Sequence, residues 1–126
     1  MADPLYLLDS NICIYLVAGR SLEAKARVEA CAPGEVAVSS VAFAEVMMGA
    51  RRLGSEKATR ALFDLVTVLP FDETAGCAYA DLPFRRGRFD RLIAAHALAL
   101  GLTLVTNNPR DFDDVEGLRV ENWTLA

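Results

Sequence analysis

The sequence has 126 residues, of which 53% are hydrophobic, so the chain is long enough for one domain with a filled core. Its net charge of −4 argues against a protein that holds nucleic acid by overall charge, although an acidic cation site or a basic partner chain would fit the same balance. No apolar run is suited to spanning a bilayer, no basic region marks a signal peptide, and three cysteines without metal-ligand spacing fit a reducing cytoplasm.

Short apolar stretches alternate with helical patterns along the whole chain. The predicted strands cover residues 5–8, 35–39, 67–70, 102–106 and, at an edge, 118–122. Helical segments lie between them, and one long helix runs from about Arg88 to Leu100 and stops at Gly101. This order predicts a single α/β domain over residues 1–126, with a small parallel-type sheet of four to five strands flanked by helices in an α/β/α arrangement.

Several predicted helices begin with a side chain that can accept a backbone N–H bond. Asp9 or Asn11 is expected to cap the first helix, Ser40 the helix after the second strand, and Asp72 the helix after the third strand. These caps set where each helix starts relative to the strand before it. They also bring polar groups to the strand ends, where ligands bind in open α/β sheets.

Three acids stand where this fold would carry side chains to one edge of the sheet. Asp9 follows the first strand directly, and Asp90 lies in the first turn of a helix that is apolar nearly all round. Glu45 interrupts an otherwise apolar helix, so it faces either solvent or a polar site. Each acid also has a simpler interpretation, as a helix cap, a partner of the helix dipole or a solvent-exposed residue.

Carboxylates that converge repel one another and raise each other's pKa unless a cation is present. Mg²⁺ or Mn²⁺ would be the natural occupant, because hard cations take oxygen ligands. Such a site can lower the pKa of a bound water and orient that water toward a phosphodiester. The spacing of the acids allows this site and leaves the simpler interpretations open.

The sequence resembles the PIN-domain ribonucleases, and more closely the toxin subunits of VapBC-type toxin–antitoxin pairs, in four segments: LLDSNICIYL, SSVAFAEVMMGARR, FDRLIAAHALALGLTLVTNNPRDF and GLRVENW. The resemblance implies an endoribonuclease that depends on Mg²⁺ or Mn²⁺ and cuts structured RNA such as tRNA or rRNA. It also implies a small antitoxin that inhibits the toxin and binds operator DNA, within a homodimer or a toxin–antitoxin hetero-oligomer. The family's catalytic and metal-binding acids correspond to Asp9, Glu45 and Asp90.

The chain departs from the family pattern after the fourth predicted strand, where a fourth acid is often found and this sequence has Asn108. An asparagine can bind a cation through its carbonyl oxygen or hold a water, but it brings no charge, which puts a second metal in doubt. Asp111 lies three residues on and either substitutes for that acid or is an exposed turn residue. Asn11 and Thr106 match family positions that support the site, and they are expected to orient carboxylates and water.

Arginines cluster beside the third acid of the predicted site. Arg85, Arg86, Arg88 and Arg91 form either a basic rim that holds RNA phosphates or a solvated linker with ion pairs to nearby acids. The single histidine, His96, is expected to be a hydrogen-bonded core or interface residue rather than a general base.

Two alternatives to a nuclease remain at this point. A non-catalytic binding or regulatory module of the same fold is motivated by Asn108, because losing one acid weakens metal affinity. A phosphoacceptor receiver domain is disfavoured, because it needs a lysine after its fifth strand and the only lysines are Lys25 and Lys57. Trp123 is expected to anchor the last strand.

Overall fold

The computed structural model describes residues 1–85 and 89–125, and one five-stranded parallel sheet lies at its centre. The strands are β1 (Tyr6–Leu8), β2 (Val36–Ser39), β3 (Thr67–Leu69), β4 (Thr103–Val105) and β5 (Val120–Glu121). Their order across the sheet is β3-β2-β1-β4-β5, and each neighbouring pair is parallel. The predicted small parallel sheet is confirmed, and β5 lies at an edge as expected.

Helices connect successive strands and cover the sheet. They are α1 (Ser10–Ala18), α2 (Leu22–Ala30), α3 (Ser40–Leu53), α4 (Glu56–Leu65), α5 (Glu73–Ala80) and α6 (Phe89–Leu100), followed by a single 3₁₀ turn at Pro109–Phe112. Over residues 1–85 and 89–125, none of these helices has both the length and the apolar character needed to cross a membrane.

The central position of β1 in the sheet explains why its sequence does not alternate between polar and apolar residues. Leu8 packs into the apolar cluster that contains Ile12 and Phe63, whereas Leu7 packs into a second cluster that contains Ile93. Because successive side chains of a strand point to opposite faces, a strand covered on both faces must be apolar at every position. Residues of α1, α2 and α4 belong to the first cluster, those of α6 belong to the second, and α3 contributes to both.

Aspartates cap two of the helices, as the sequence predicts. Asp9, rather than Asn11, caps α1: its carboxylate accepts a hydrogen bond from the backbone N–H of Ile12 at 2.9 Å. Asp72 caps α5 in the same way by accepting from Ala75 N–H at 3.0 Å. The cap on α1 fixes the Asp9 carboxylate immediately beyond the end of β1.

The third helix begins one residue earlier than predicted, and its cap is Ser39 rather than Ser40. The Ser39 hydroxyl oxygen accepts from Val41 N–H at 3.1 Å and lies 2.8 Å from Nδ1 of His96. His96 is buried, which lowers the pKa of its imidazole, and its ring packs edge-on against Phe71. The expectation of a hydrogen-bonded core histidine is confirmed.

Trp123 anchors the end of the chain, as expected. Its indole is buried, packs edge-on against Tyr6 at 4.8 Å between ring centroids, and donates its N–H to Glu121 at 2.9 Å. The guanidinium of Arg27 lies 5.1 Å from the indole centroid and also contacts the Glu121 carboxylate. These contacts hold β5 and the residues after it against β1 and α2.

Candidate functional site

A cavity of about 640 Å³ opens at the edge of the sheet where β1 and β4 end. Its wall collects every acid and supporting residue that the sequence singles out: Asp9, Asn11, Glu45, Asp90, Thr106, Asn108 and Asp111. Because β1 and β4 are neighbouring parallel strands, their carboxyl ends bring Asp9 and Thr106 to the same place. Glu45 reaches the cavity from α3, and Asp90 reaches it from the first turn of α6.

The carboxylate of Asp9 is the most perturbed acid of the cavity. The residue is only 6% exposed, and this burial raises the pKa of Asp9 to about 6. Hydrogen bonds from the Thr106 hydroxyl and the Ile12 N–H lower this pKa, whereas the charges of Asp90 and Glu45 raise it. A buried negative charge beside two further acids is costly, and a bound cation would relieve that cost.

Glu45 faces a polar site, which resolves the alternative that its sequence position left open. The carboxylate of Glu45 accepts a short hydrogen bond from the hydroxyl of Ser10, a buried residue in the first turn of α1. This bond joins α1 to α3 across the cavity wall. One oxygen of Glu45 is therefore held in place by the same turn that carries Asp9.

Two polar atoms of the cavity residues lack a partner in the described part of the chain. Within residues 1–85 and 89–125, the buried side-chain oxygens without a hydrogen bond are Asp90 Oδ1 and Asn107 Oδ1. Both residues lie on the cavity wall. Buried polar atoms are nearly always paired in native proteins, and those without a partner point to an ion, a water or a ligand.

Asn108 and Asp111 form a pair at the cavity rim. The Asn108 side-chain amide donates to the Asp111 carboxylate at 2.9 Å, and the Asn108 backbone N–H donates to the Thr106 hydroxyl at 3.1 Å. The Asn108 amide is therefore paired with an acid at the rim of the cavity. Asp111 also lies on the cavity wall. The sequence left open whether Asp111 is a site residue or an exposed turn residue.

Arg91 forms an ion pair with a nearby acid, which is the second alternative that the sequence left open for the arginine cluster, but it is buried and not part of a solvated linker or a basic rim. The residue is 5% exposed, and its guanidinium makes two hydrogen bonds to the Asp114 carboxylate at 2.9 and 2.8 Å. This pairing lowers the pKa of Asp114 and leaves the guanidinium engaged inside the protein. Arg85 is exposed and lies 3.5 Å from the same carboxylate, while Arg86 and Arg88 lie outside the described residues.

The cavity wall carries acids without a compensating positive side chain among the described residues. No lysine, arginine, histidine or cysteine of residues 1–85 and 89–125 lines it. In the same part of the chain, no three acid, histidine or cysteine side chains are grouped closely enough to hold a metal ion by themselves. The predicted acids share one cavity, but a cation there would need further oxygen ligands from water or from a bound phosphate.

Six residues of the wall were not proposed from the sequence: Ser10, Tyr79, Phe89, Leu92, Asn107 and Phe112. Ser10 and Asn107 each lie between predicted site residues, so position along the chain was the available signal. Tyr79 comes from α5, and nothing in the sequence connects this helix with the ends of β1 and β4.

The chain is similar to known proteins over nearly its whole length. The family model described as "PIN domain" matches residues 6–118. The tRNA(fMet)-specific endonuclease VapC of Shigella flexneri is 34% identical, over 94% of this chain and 98% of that protein. Ribonuclease VapC2 of Haemophilus influenzae is 33% identical, over 94% of this chain and 97% of its own length.

Solved structures with the same fold include toxin–antitoxin complexes. VapBC2 of Rickettsia felis, bound to a DNA fragment from its promoter, contains a chain with a TM-score of 0.84 and 27% identity, covering 94% of this chain and 98% of that one. VapBC-1 of nontypeable Haemophilus influenzae contains a chain with a TM-score of 0.80 and 30% identity, covering 96% and 99% respectively.

Proposed function

The chain belongs to the PIN domain family and to its VapC-type members, and we propose that it is the ribonuclease toxin of a toxin–antitoxin pair that hydrolyses structured RNA with the help of Mg²⁺ or Mn²⁺. The observation that carries this proposal is the cavity at the ends of β1 and β4, which Asp9, Glu45 and Asp90 all line and which has no positive side chain among the described residues. Its substrate class is tRNA or rRNA, and its place of action is the cytoplasm.

The chemistry of the cavity suits a hard divalent cation. Asp90 Oδ1 is buried without a partner in the described part of the chain, and Asp9 carries a buried charge that a cation would stabilise. Mg²⁺ commonly binds through one or two carboxylates and completes its shell with water and substrate phosphates, so a described wall that lacks three grouped ligands still fits it. Asp9, Glu45 and Asp90 would hold the ion, with Asn108 and Asp111 at the rim.

When bound, the cation polarises the phosphate and lowers the pKa of a coordinated water. The protein contributes a fixed arrangement of acceptors. The Ile12 N–H and the Thr106 hydroxyl orient the Asp9 carboxylate, and the Ser10 hydroxyl orients Glu45. Carboxylates held in this way need no rearrangement when the substrate arrives, which is the main protein contribution to electrostatic catalysis.

The partner of this protein is a small antitoxin. Similar structures from Rickettsia felis and Salmonella typhimurium are VapBC complexes bound to DNA, with 27% and 26% identity to this chain. By analogy, the antitoxin binds this chain, inhibits the cleavage and brings it to operator DNA. The excess of acids over basic residues in this chain is consistent with DNA binding through the partner.

Removal of the divalent cation is expected to stop RNA cleavage completely. Purified protein, freed of any co-purifying partner, is incubated with total cellular RNA in EDTA and then with added Mg²⁺ or Mn²⁺. Discrete fragments that form only with the added metal support the proposal and identify the RNA that is cut. Fragments that form equally well in EDTA would show that hydrolysis does not depend on the metal.

The same assay addresses the non-catalytic alternative, which Asn108 motivates. A folded protein that binds an antitoxin tightly but cuts no RNA with either metal is a binding or regulatory module. The folded state is checked by circular dichroism and by a cooperative thermal transition, so that lost structure is not mistaken for lost chemistry.

Loss of the Ser10 hydroxyl is expected to slow cleavage about tenfold, because Glu45 then loses the donor that orients it. The variant Ser10→Ala should lower kcat more than it raises KM, and Ser10→Thr, which keeps the hydroxyl, should restore most of the rate. Ser55→Ala is the matched control, since the Ser55 side chain makes no capping hydrogen bond at the start of α4. Equal kcat values for Ser10→Ala and Ser55→Ala would remove Ser10 from the site.

A further inference from the structure

Asn107 presents an unused hydrogen-bond acceptor beside the acids of the cavity. Its side-chain oxygen is buried and has no partner among residues 1–85 and 89–125, although the residue lies on the cavity wall. The other end of the amide is engaged, because its NH₂ group donates to the hydroxyl of Tyr15 at 3.1 Å. Because the NH₂ group is used in this hydrogen bond, the unpaired atom of the amide is its oxygen, which is an acceptor.

The position of Asn107 is fixed from several sides. The preceding residue, Thr106, is 1% exposed, and its backbone N–H donates to Glu121 O at 3.0 Å. The following residue, Asn108, donates its backbone N–H to the Thr106 hydroxyl. Tyr15 lies on α1, the helix that Asp9 caps, and the guanidinium of Arg20 lies 5.9 Å from its ring centroid. The backbone around Asn107 and the orientation of its amide are therefore both held, and the residue lies on the cavity wall.

A hydrogen-bond donor on a ligand in the cavity would satisfy this acceptor. A nucleic acid whose phosphodiester approaches the acids of the cavity brings the sugar on that phosphate with it. In RNA the sugar carries a 2′-hydroxyl, a donor that DNA lacks and that proteins use to tell the two apart. We propose that Asn107 Oδ1, oriented by the Tyr15 hydroxyl, accepts a hydrogen bond from a ribose 2′-hydroxyl and so selects RNA.

This inference rests on the proposed function for its ligand, but it makes a separate claim about binding. Asn107 is a specificity residue that would touch the substrate, and Tyr15 is a positioning residue that acts through it. Because binding needs no hydrolysis, the claim can be tested without metal. The Asn107 inference and the ribonuclease proposal can then fail independently.

The experiment compares two labelled RNAs of identical sequence, an anticodon stem–loop and the same stem–loop with 2′-fluoro groups. Fluorine keeps the RNA-like sugar pucker and removes the hydroxyl donor. Affinities are measured by fluorescence anisotropy in EDTA at low ionic strength, where the proposed reaction does not proceed. We expect wild type to prefer the hydroxyl form about tenfold, the size of one hydrogen bond to a site that is otherwise left unpaired.

Variants assign the preference to Asn107. Asn107→Leu keeps the side-chain volume without the acceptor, so it should bind both RNAs within about twofold of each other. Tyr15→Phe should keep only part of the preference for the hydroxyl form. Tyr6→Phe is the matched control: Tyr6 lies on β1 and packs against Trp123, so this variant should keep the whole preference. Thermal melting of each variant verifies that it is folded.

Several results would overturn the inference. They are a wild-type protein that binds neither RNA, one that binds both equally, and an Asn107→Leu variant that keeps the full preference. If wild type prefers the hydroxyl form but cuts no RNA with metal, the Asn107 inference stands and the ribonuclease proposal fails. If wild type cuts RNA while Asn107→Leu leaves the preference unchanged, the ribonuclease proposal stands and the Asn107 inference fails.

Discussion

Replacing Asp90 by asparagine is expected to slow RNA cleavage by at least about a thousandfold while the protein stays folded. The substitution keeps the shape of the side chain and removes only its charge. In the wild type, Asp90 Oδ1 is buried without a hydrogen-bond donor among the described residues, so this oxygen lacks the partner that a buried carboxylate normally has. A bound cation would supply that partner, and loss of the charge should therefore affect metal binding and catalysis together.

The measurement is the single-turnover cleavage rate as a function of Mg²⁺ or Mn²⁺ concentration. Asp64→Asn is the matched control, because Asp64 is an exposed aspartate on α4 outside the cavity wall. It should cleave at the wild-type rate. An Asp90→Asn variant that cleaves within a few-fold of this control would exclude Asp90 from the catalytic site.

The variant Asp9→Asn is expected to stabilise the metal-free protein at neutral pH. Burial raises the pKa of Asp9 to about 6, compared with 3.8 for a free aspartate. A shift of about two units corresponds to roughly 2–3 kcal/mol. Asparagine carries no charge and can still accept the Ile12 N–H bond that caps α1.

The sign of the effect follows from proton binding. Well below pH 3.8, Asp9 is protonated in both the folded and the unfolded chain, and its burial costs little. Between pH 3.8 and about 6 the unfolded chain loses this proton while the folded chain keeps it, so stability falls relative to Asp9→Asn and levels off above pH 6. The variant should therefore match wild type near pH 4 and exceed it by about 2–3 kcal/mol at pH 8.

Urea unfolding in EDTA, repeated across this pH range, measures the difference directly. Asp72→Asn is the control, because Asp72 caps α5 with the same kind of hydrogen bond from an exposed position. It should change the free energy of unfolding by no more than about 0.5 kcal/mol. Adding Mg²⁺ should narrow the gap between wild type and Asp9→Asn. A gap that is the same at pH 4 and pH 8 would contradict the burial argument.

The fold was predictable from the sequence because its signals are local. The apolar run before Asp9, the cap formed by that residue and the stop at Gly101 each depend on a few neighbouring positions. The error at the start of α3 has the same origin. Ser39 and Ser40 are equivalent as sequence signals. What distinguishes them is tertiary: the Ser39 hydroxyl is hydrogen-bonded to His96, and the Ser40 hydroxyl accepts from the Phe71 backbone N–H.

The sequence predicted that three acids lie at one cavity, but not the contacts that hold them. Strand ends and one charge in an apolar helix singled out Asp9, Glu45 and Asp90, and the catalytic role that the family resemblance gives them stays a prediction. The bond from Ser10 to Glu45 joins residues 35 positions apart, and it exists only once α1 docks on α3. The burial of Arg91 likewise depends on Asp114, 23 positions further along the chain. The sequence around Arg91, which is rich in arginine, indicates a surface residue instead.

The position of β1 at the centre of the sheet has a consequence for the synthesis of the protein. Leu7 pairs on one side with Ala37, and on the other with Leu104, near the opposite end of the chain. Asp9 thus emerges from the ribosome early, and Thr106 and the Asn108–Asp111 pair emerge among the last residues. A growing chain can bury β1 against β2 first, but its cavity closes only when β4 inserts. A partly made chain therefore lacks a complete cavity until its last quarter has been synthesised.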